Sequence, residues 1–272
     1  MIIKKQKKIR TLINNLDLKI YSIGFADLDK RWKWHIYNVK SLINRLWFII
    51  DGKIELHENN SKVIMKSGNF FLLPRNQAYH VSSSGVKKIW VDFAFTAYNN
   101  TDIFDFYSDI IKRPFKNNFF KSDLYKYYYS LDIIKLAKIK NQIMELLLSI
   151  IEKQYNKDFI KKIQAYSEHG EILDYIERNL SMGLSIRKLA EIANVSNYYI
   201  SAKFKKKIGI TLKQYIENRL LDRIKYDLVY STKKIKLIAN ELGFNDQYYF
   251  STFFKKMTGA SPVQFRNIYI DS

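Results

Sequence analysis

The sequence predicts an α+β chain of two domains, a small N-terminal β-barrel or jelly roll with helices, then an all-α part built from two helix-turn-helix modules. Three observations predict it. Between about residues 18 and 97, short β-branched and aromatic runs alternate with turn residues. From about residue 101 the apolar spacing changes to three- and four-residue steps. The last third then repeats itself: Ser196-Asn-Tyr-Tyr-Ile-Ser-Ala-Lys-Phe-Lys-Lys-Lys-Ile-Gly209 returns fifty positions later as Asp246-Gln-Tyr-Tyr-Phe-Ser-Thr-Phe-Phe-Lys-Lys-Met-Thr-Gly259. A unit this short, each copy preceded by a short helix and a turn, is the pattern of a duplicated helix-turn-helix.

The strand region comprises Leu46–Ile50, Lys53–His57, Lys62–Met65, Phe70–Leu73 and Lys88–Phe95, separated by turn signals at Asp51-Gly52, Asn59-Asn60, Ser67-Gly68-Asn69, Pro74-Arg75-Asn76 and Ser82–Gly85. Such short, evenly spaced strands suit a barrel or jelly roll. Residues 101–162 read as helices, because Leu124, Tyr127, Tyr128, Leu131 and Ile134, then Ile139, Ile143, Leu146, Leu147, Ile150 and Ile151, form an apolar stripe. These helices are expected either to cover the barrel or to meet a second copy of the chain. The division falls at 1–165 and 166–272.

The second domain is punctuated by caps. After a helix Glu168–Leu180, Ser185 precedes Ile186–Ile192, and Asn194 occupies a position that calls for left-handed backbone. Ser196 caps Asn197–Ile208, Gly209 stops it, and Thr211 caps the long helix Leu212–Tyr230. In the second module Thr232 precedes Lys233–Glu241, Gly243 makes the turn, Asp246 caps Gln247–Met257, and Gly259 stops it. Ser261-Pro262 opens a final short helix. The modules span about 185–208 and 232–258. The echo continues past the glycine, with Gln214 identical to Gln264 and Tyr215 matched by another aromatic residue, Phe265.

Composition narrows the possibilities. Hydrophobic residues make up 47% of the 272, and 15% are aromatic, enough for packed cores and not a disordered chain. The net charge of +20 favours a polyanionic partner. Yet residues 1–165 carry a net +14 and residues 166–272 only +6, so bulk charge is weak support for DNA binding and the repeat carries the argument. With no cysteine, disulfides, thiolate nucleophiles and cysteine-ligated metals are excluded. The apolar runs Leu46–Ile50 and Ile143–Ile151 fall short of the ~20 residues of a membrane helix. A soluble, cytoplasmic protein without a membrane partner is expected.

The stretch Ile235 to Arg266 resembles the signature of the AraC/XylS family of bacterial transcription regulators. Its marks are Ile238-Ala239 before the turn, Gly243-Phe244 in it, Tyr249-Phe250-Ser251 on the recognition helix, Phe254-Lys255-Lys256 after it, and Gly259-Ala-Ser-Pro-Val-Gln-Phe-Arg266 at the end. The resemblance covers about residues 166–270, including the joining helix with Arg219 and Arg223. It implies a sequence-specific DNA-binding regulator, an activator more readily than a repressor, and not an enzyme. Arg45 to Leu56 and Gly68 to His80 are similar to the N-terminal cupin-like barrels of that family, which sense a small effector, and the following helices would correspond to its dimerisation helices. The match departs from metal cupins: His57 has no histidine two residues away, and His80 lies one residue further from Pro74 than the enzyme motif places it. No metal or other cofactor is expected. The alternatives are a cupin-type metalloenzyme with a helical accessory domain, which would need a stoichiometric metal, and an architectural DNA-binding protein, which would show salt dependence without sequence preference.

Carried over residue by residue, the family's groove-facing positions are Asn197, Tyr198, Ser201 and Ala202 on the first recognition helix and Gln247, Tyr248, Ser251 and Thr252 on the second. Asn197 and Gln247 can pair bidentately with adenine, and no arginine stands ready for guanine, so paired A·T-rich boxes in double-stranded DNA are expected. Lys203, Lys205, Lys206, Lys207, Lys255 and Lys256 are expected at phosphates. Tyr199, Ile200 and Phe204, with Tyr249, Phe250 and Phe254, are expected in the core. Trp32, Trp34, His35, Trp47, Tyr79, His80 and Trp90 are candidates to line an effector site. A homodimer is expected, and RNA polymerase is the partner of an activator.

Overall fold

The computed structural model describes residues 16–270, apart from 31–32, 36–40, 42, 59–60, 76, 78–79, 98–100, 108, 116–123, 155–160, 162–164 and 167. The chain divides into two compact units, Met1–Ala97 with Thr101–Tyr155, and Tyr98–Asn100 with Asn156–Ser272.

The first unit is built on one antiparallel sheet of eight strands: β1 Asp17–Leu28, β2 Lys33–His35, β3 Asn44–Glu58, β4 Ser61–Lys66, β5 Asn69–Leu73, β6 His80–Ala97, β7 Thr101–Asp102 and β8 Ile111–Pro114. The order is β1-β6-β3-β5-β8, with β2 and β7 added to β6 and β4 added to β3. Two strands exceed what the turn signals suggested. Leu46–Ile50 and Lys53–His57 are one strand, because Asp51-Gly52 makes an irregularity in the β3–β6 pairing and not a turn. Gly52 has φ +77°, and a Cβ there would lie 2.1 Å from the carbonyl oxygen of Gly85, so two backbones meet where only glycine fits. Ser82–Gly85, also read as a turn, runs inside β6. A third correction concerns the stretch expected to be helical from residue 101: it opens with β7, a 3-10 turn at Ile103–Phe106, and β8.

Both faces of the sheet are covered, since Leu46, Trp47, Phe48 and Ile49 are all buried along β3. Trp47, Ile49, Ile54, Leu56, Met65, Phe71, Leu73, Val81 and Val86 form one core layer. On the opposite face Phe48 meets Phe115 edge-on at 5.5 Å, and Phe93 meets Phe104 at 5.8 Å. Helices α1 (Leu124–Tyr128) and α2 (Ile133–Gln154) follow. The stripe Ile139, Ile143, Leu147 and Ile150 turns inward, α2 packs near β1, and Lys140 reaches Asp17 at 3.7 Å. Asp102 fastens β7 from beneath. Fully buried, it accepts bonds from Asn44 Nδ2 at 2.8 Å and the Phe104 N–H at 2.8 Å, and burial pushes its carboxyl up to about 7.

The second unit is helical: α3 Gly170–Arg178, α4 Ile186–Ile192, α5 Asn197–Ile208, α6 Leu212–Tyr230, α7 Ile235–Glu241, α8 Gln247–Thr258 and α9 Pro262–Ile270. The sequence-read caps are in place. The Ser185 and Ser196 hydroxyls, and the Asp246 carboxylate, each accept from the N–H three residues on, while Thr211 and Gln214 complete a reciprocal capping box. Gly209 and Gly259 are left-handed at the ends of α5 and α8, and Asn194 adopts φ 52°. Helix α7 begins two residues later than expected, and Lys234 at its N-cap makes no side-chain capping bond. Helix α6 is the spine of the unit, burying Leu212, Tyr215, Ile216, Leu220, Leu221, Ile224 and Leu228.

Candidate DNA-binding surface

The two recognition helices, α5 and α8, are buried at matching positions. Ile200 and Phe204 in the first, and Phe250 and Phe254 in the second, are the inward residues, one turn apart. Full burial of each such side chain contributes roughly 1.5–3 kcal/mol. The echo beyond the glycine has the same cause in both copies: Tyr215 packs on Phe204 at 5.6 Å, and Phe265 packs on Phe254 at 5.1 Å. Gln264 also repeats the backbone-directed bond of Gln214, its Oε1 accepting from the Ser261 N–H at 2.9 Å.

The outward residues repeat as well. Asn197, Tyr198 and Ala202 are exposed on α5, as are Gln247, Tyr248 and Thr252 on α8; Ser201 and Ser251 are half-buried. Tyr198 is 85% exposed and Tyr248 84%, an arrangement the fold does not need. The Ser251 hydroxyl donates to the Gln247 carbonyl at 2.8 Å, so its hydrogen is already used within the helix. One expectation fails: Tyr199 and Tyr249, expected in the core, are 52% and 45% exposed. Their place, one residue before the buried Ile200 and Phe250, puts them at the border of the apolar stripe. Tyr249 lies along Phe244 at 5.9 Å, and the Lys203 ammonium stands 5.5 Å from the Tyr199 ring.

Lys203, Lys205, Lys206, Lys255 and Lys256 are exposed. All but Lys203 lie in the last turn of their helix, where cations also complement the helix dipole. Lys207 is exposed too, but pairs with Glu168 at 3.2 Å.

Several groups brace the helices of this unit against one another. Arg219 of α6 donates to both carboxylate oxygens of Glu177 in α3, at 2.6 and 3.0 Å, and to Asp222 at 3.0 Å. Arg266 of α9 donates to the Leu228 carbonyl at 3.0 Å and the Lys233 carbonyl at 2.7 Å, tying the last helix to the α6–α7 junction. The Met182 N–H donates to the Leu242 carbonyl at 2.8 Å, so the approach to the first module touches the turn of the second. His169 packs against Phe204 at 5.3 Å, and burial holds its imidazole below the ordinary range. Arg219 was visible in the sequence only as part of the joining helix; nothing there pointed to Glu177, 42 residues away.

The effector candidates are divided by the register. Trp47 and Trp90 are direct partners on β3 and β6 and lie together. Gly24 opposite makes room, since a Cβ there would come within 2.0 Å of the Trp90 ring. Beside them are groups the sequence reading did not single out: the Lys88 ammonium sits 3.7 Å from the Trp47 ring centre, and Arg45 pairs with Asp92 at 3.0 Å, which also accepts from Ser22 at 3.1 Å. Lys88 is 5% exposed, and burial, with Arg45 nearby, lowers its ammonium to about 7. Trp34 is the partner of Val81, and Val81 of Leu56, both in the core layer. His35 of β2 and His80 of β6 are register partners on the adjacent rung. Trp32 and Tyr79 lie outside the described residues.

Residues 189–268 match the profile of a family described as a helix-turn-helix domain. The chain is 38% identical over 97 residues to the bifunctional transcriptional activator/DNA repair enzyme AdaA of Bacillus subtilis, covering 36% of this chain and 46% of AdaA. Over 268 residues it is 24% identical to the Msm operon regulatory protein of Streptococcus mutans, covering 93% of this chain and 94% of that protein. Its fold is similar to that of ToxT from Vibrio cholerae, with a TM-score of 0.56 at 16% identity, covering 92% of this chain and 99% of ToxT. The chain thus spans less than half of AdaA but nearly the whole of the Msm regulator. Duplicated helix-turn-helix modules behind a β domain define a DNA-binding transcription regulator. Its helix-turn-helix region, residues 189–268, is of the AraC type.

Proposed function

We propose that this protein is an effector-controlled activator that binds paired A·T-rich boxes as a homodimer, with α5 and α8 in successive major grooves on one face of the duplex. The observation that carries the reading is the pair Tyr198 and Tyr248: large, almost fully exposed, and at the same position of both copies. Each is flanked by exposed polar or small side chains able to read base edges, Asn197 and Ala202 on one helix and Gln247 and Thr252 on the other. Lys203, Lys205, Lys206, Lys255 and Lys256 contact phosphates and set the register. Successive grooves on straight DNA lie about 34 Å apart, and a shorter spacing of the helices would bend the duplex.

The first unit is the effector-sensing and dimerisation domain in this reading. Support for a subunit contact comes from Leu131, Ile133 and Ile134, apolar and exposed where α2 begins. Support for a small effector comes from Trp47 and Trp90 beside the buried Lys88, an environment suited to an apolar body bearing an acidic group. One ToxT structure is described with an unsaturated fatty acid bound, in keeping with an acidic effector. The protein acts in the cytoplasm with RNA polymerase as its partner, and no catalytic role is assigned to it. No described helix is long and apolar enough to cross a membrane.

The test is selection from a random DNA pool with the full-length protein. Enrichment of two A·T-rich boxes about one helical turn apart, with discrimination lost in Gln247→Ala and Asn197→Ala, is the expected result. Salt-sensitive binding without sequence preference overturns the reading in favour of an architectural protein.

A further inference from the structure

The second unit holds a cavity between the end of α3 and the start of α4. It measures about 600 Å³, within the roughly 300–1,000 Å³ of small-molecule sites. Its polar lining is Tyr175, Arg178, Asn179, Ser181, Ser185 and Lys188, and Leu180 and Leu184 are its apolar walls. Among the described residues that line it, none is acidic and none belongs to α5 or α8.

We propose that this cavity binds a small organic phosphate, with Arg178 and Lys188 on the phosphate and Tyr175 and the two leucines against the organic body. Arg178 is exposed at the end of α3 and makes no hydrogen bond or ion pair with a described residue. Its charge complements the dipole of α3, a role that leaves its fork of N–H donors for a ligand. Lys188 reaches Glu191 only at 3.7 Å, and that carboxylate is already bonded by Arg187 at 3.2 Å. Two cations thus line one cavity that contributes no anion of its own. The Ser185 hydroxyl accepts from the Lys188 N–H at 3.3 Å, which leaves its own hydrogen to donate to a ligand oxygen. A phosphate suits this set, because its oxygens can engage several donors at once.

A phosphate of the DNA backbone has the same charge, but it brings no apolar body for Tyr175, Leu180 and Leu184. A free phosphate ester does, and the size of the cavity is that of a whole small molecule. The site also borders the second module. Met182, between the lining residues Ser181 and Gly183, donates its N–H to the Leu242 carbonyl at 2.8 Å. A Cβ on Gly243, at φ +74°, would stand 3.2 Å from the Ser181 Cβ. The loop that a ligand would brace is therefore the one packed against the second turn. The inference is independent of the tryptophan pair in the first unit.

The experiment titrates full-length protein by calorimetry with phenyl phosphate and, separately, with inorganic phosphate. One equivalent of phenyl phosphate should bind, at least about fivefold more tightly than inorganic phosphate, since the ring adds apolar burial. Arg178→Ala and Lys188→Ala should each weaken it by about tenfold or more, the cost of a charge-assisted hydrogen bond. Both side chains are exposed, so the variants should keep the fold, which circular dichroism checks. Lys213→Ala, at an exposed lysine outside the cavity, should leave binding unchanged. Phenyl phosphate should also bind when the protein is saturated with duplex DNA. Absence of binding, equal affinity for the two probes, undiminished binding in both cavity variants, or equal weakening by Lys213→Ala overturns the proposal. Exclusion of phenyl phosphate by DNA overturns it too, and would assign Arg178 and Lys188 to the DNA backbone.

Discussion

Replacing Arg219 with methionine should loosen the packing of α3, the helix leading into the first module, on α6 by an amount the structure sets. Methionine keeps much of the apolar stem but removes three charge-assisted hydrogen bonds, two to Glu177 and one to Asp222. Arg219 and Glu177 have side chains only 15% exposed, and Asp222 20%, so the abandoned carboxylates stay largely out of water. Breaking a buried pair from one side costs about 3–5 kcal/mol. The residual exposure and the chance for water to enter place this case at the lower end, about 3 kcal/mol. Most of that cost is the stranded carboxylate. Glu177→Gln in the same chain should therefore recover about 1–2 kcal/mol, a coupling that a double-mutant cycle reads directly. Urea unfolding of the full-length protein, followed by helical circular dichroism, is the assay. A loss below about 1 kcal/mol, or effects additive within about 0.5 kcal/mol, would refute the idea that this clamp holds α3 to α6.

Other consequences are equally direct. Tyr198→Ala and Tyr248→Ala should leave thermal stability within about 0.5 kcal/mol, since neither ring is buried, yet each should weaken binding to the selected site by about 1–3 kcal/mol; equal losses on random DNA in a fluorescence anisotropy titration would remove the base-reading role. Lys256→Ala should instead weaken all sequences alike and lower the salt slope by about one; a slope unchanged across a salt series would contradict the phosphate assignment. Gly24→Val should expel the Trp90 ring, visible as a shift in tryptophan emission, and cost at least ~2 kcal/mol through overpacking; an unchanged spectrum would mean the close approach is not real. Lys88 and Asp102 should tilt stability against pH in opposite directions. The Lys88 ammonium is lowered from its ordinary 10.5 to about 7, so the unfolded chain holds the extra proton between these values and stability rises with pH there. The Asp102 carboxyl is raised from 3.8 to about 7, so the folded state holds the proton and stability falls as pH rises through that window. Lys88→Met should abolish the alkaline rise in urea midpoints and leave the acid limb; a rise that persists would refute the assignment.

What was legible in the sequence was local. Caps, left-handed stops and the apolar step of three and four are set by residues within one turn of each other, and Ser196, Asp246, Gly209 and Gly259 stand where they were expected. The duplication made the second unit more legible still, because each copy checks the other. What failed was what depends on partners far away in the chain. Asp51-Gly52 carries the residues of a turn, but Gly85, 33 positions later, receives it as a bulge. Tyr199 and Tyr249 fit an apolar stripe by spacing, yet they lie at its border, where the width of the neighbouring helix decides burial. Residue type also says nothing of register: Trp47 and Trp90 lie far apart in sequence and become direct partners on neighbouring strands. The charges around Trp47 went unnoticed for the same reason, since Arg45, Lys88 and Asp92 look like ordinary surface residues until the register puts them beside two tryptophans.

The two modules share a core plan but not a means of attachment, and the difference matters for how they would behave together on DNA. The helix leading into the first, α3, is held to α6 by Arg219 through the charged Glu177 carboxylate. The helix closing the second, α9, is tied by Arg266 through the uncharged carbonyls of Leu228 and Lys233. Two recognition helices that bind one duplex must keep a fixed spacing, and a spacing is only as firm as its weaker anchor. The Met182–Leu242 backbone bond joins the segment between α3 and α4 to the turn of the second module. The joining helix is then more than a spacer. It carries, through Arg219, the attachment of α3, the helix that precedes the first module in the chain.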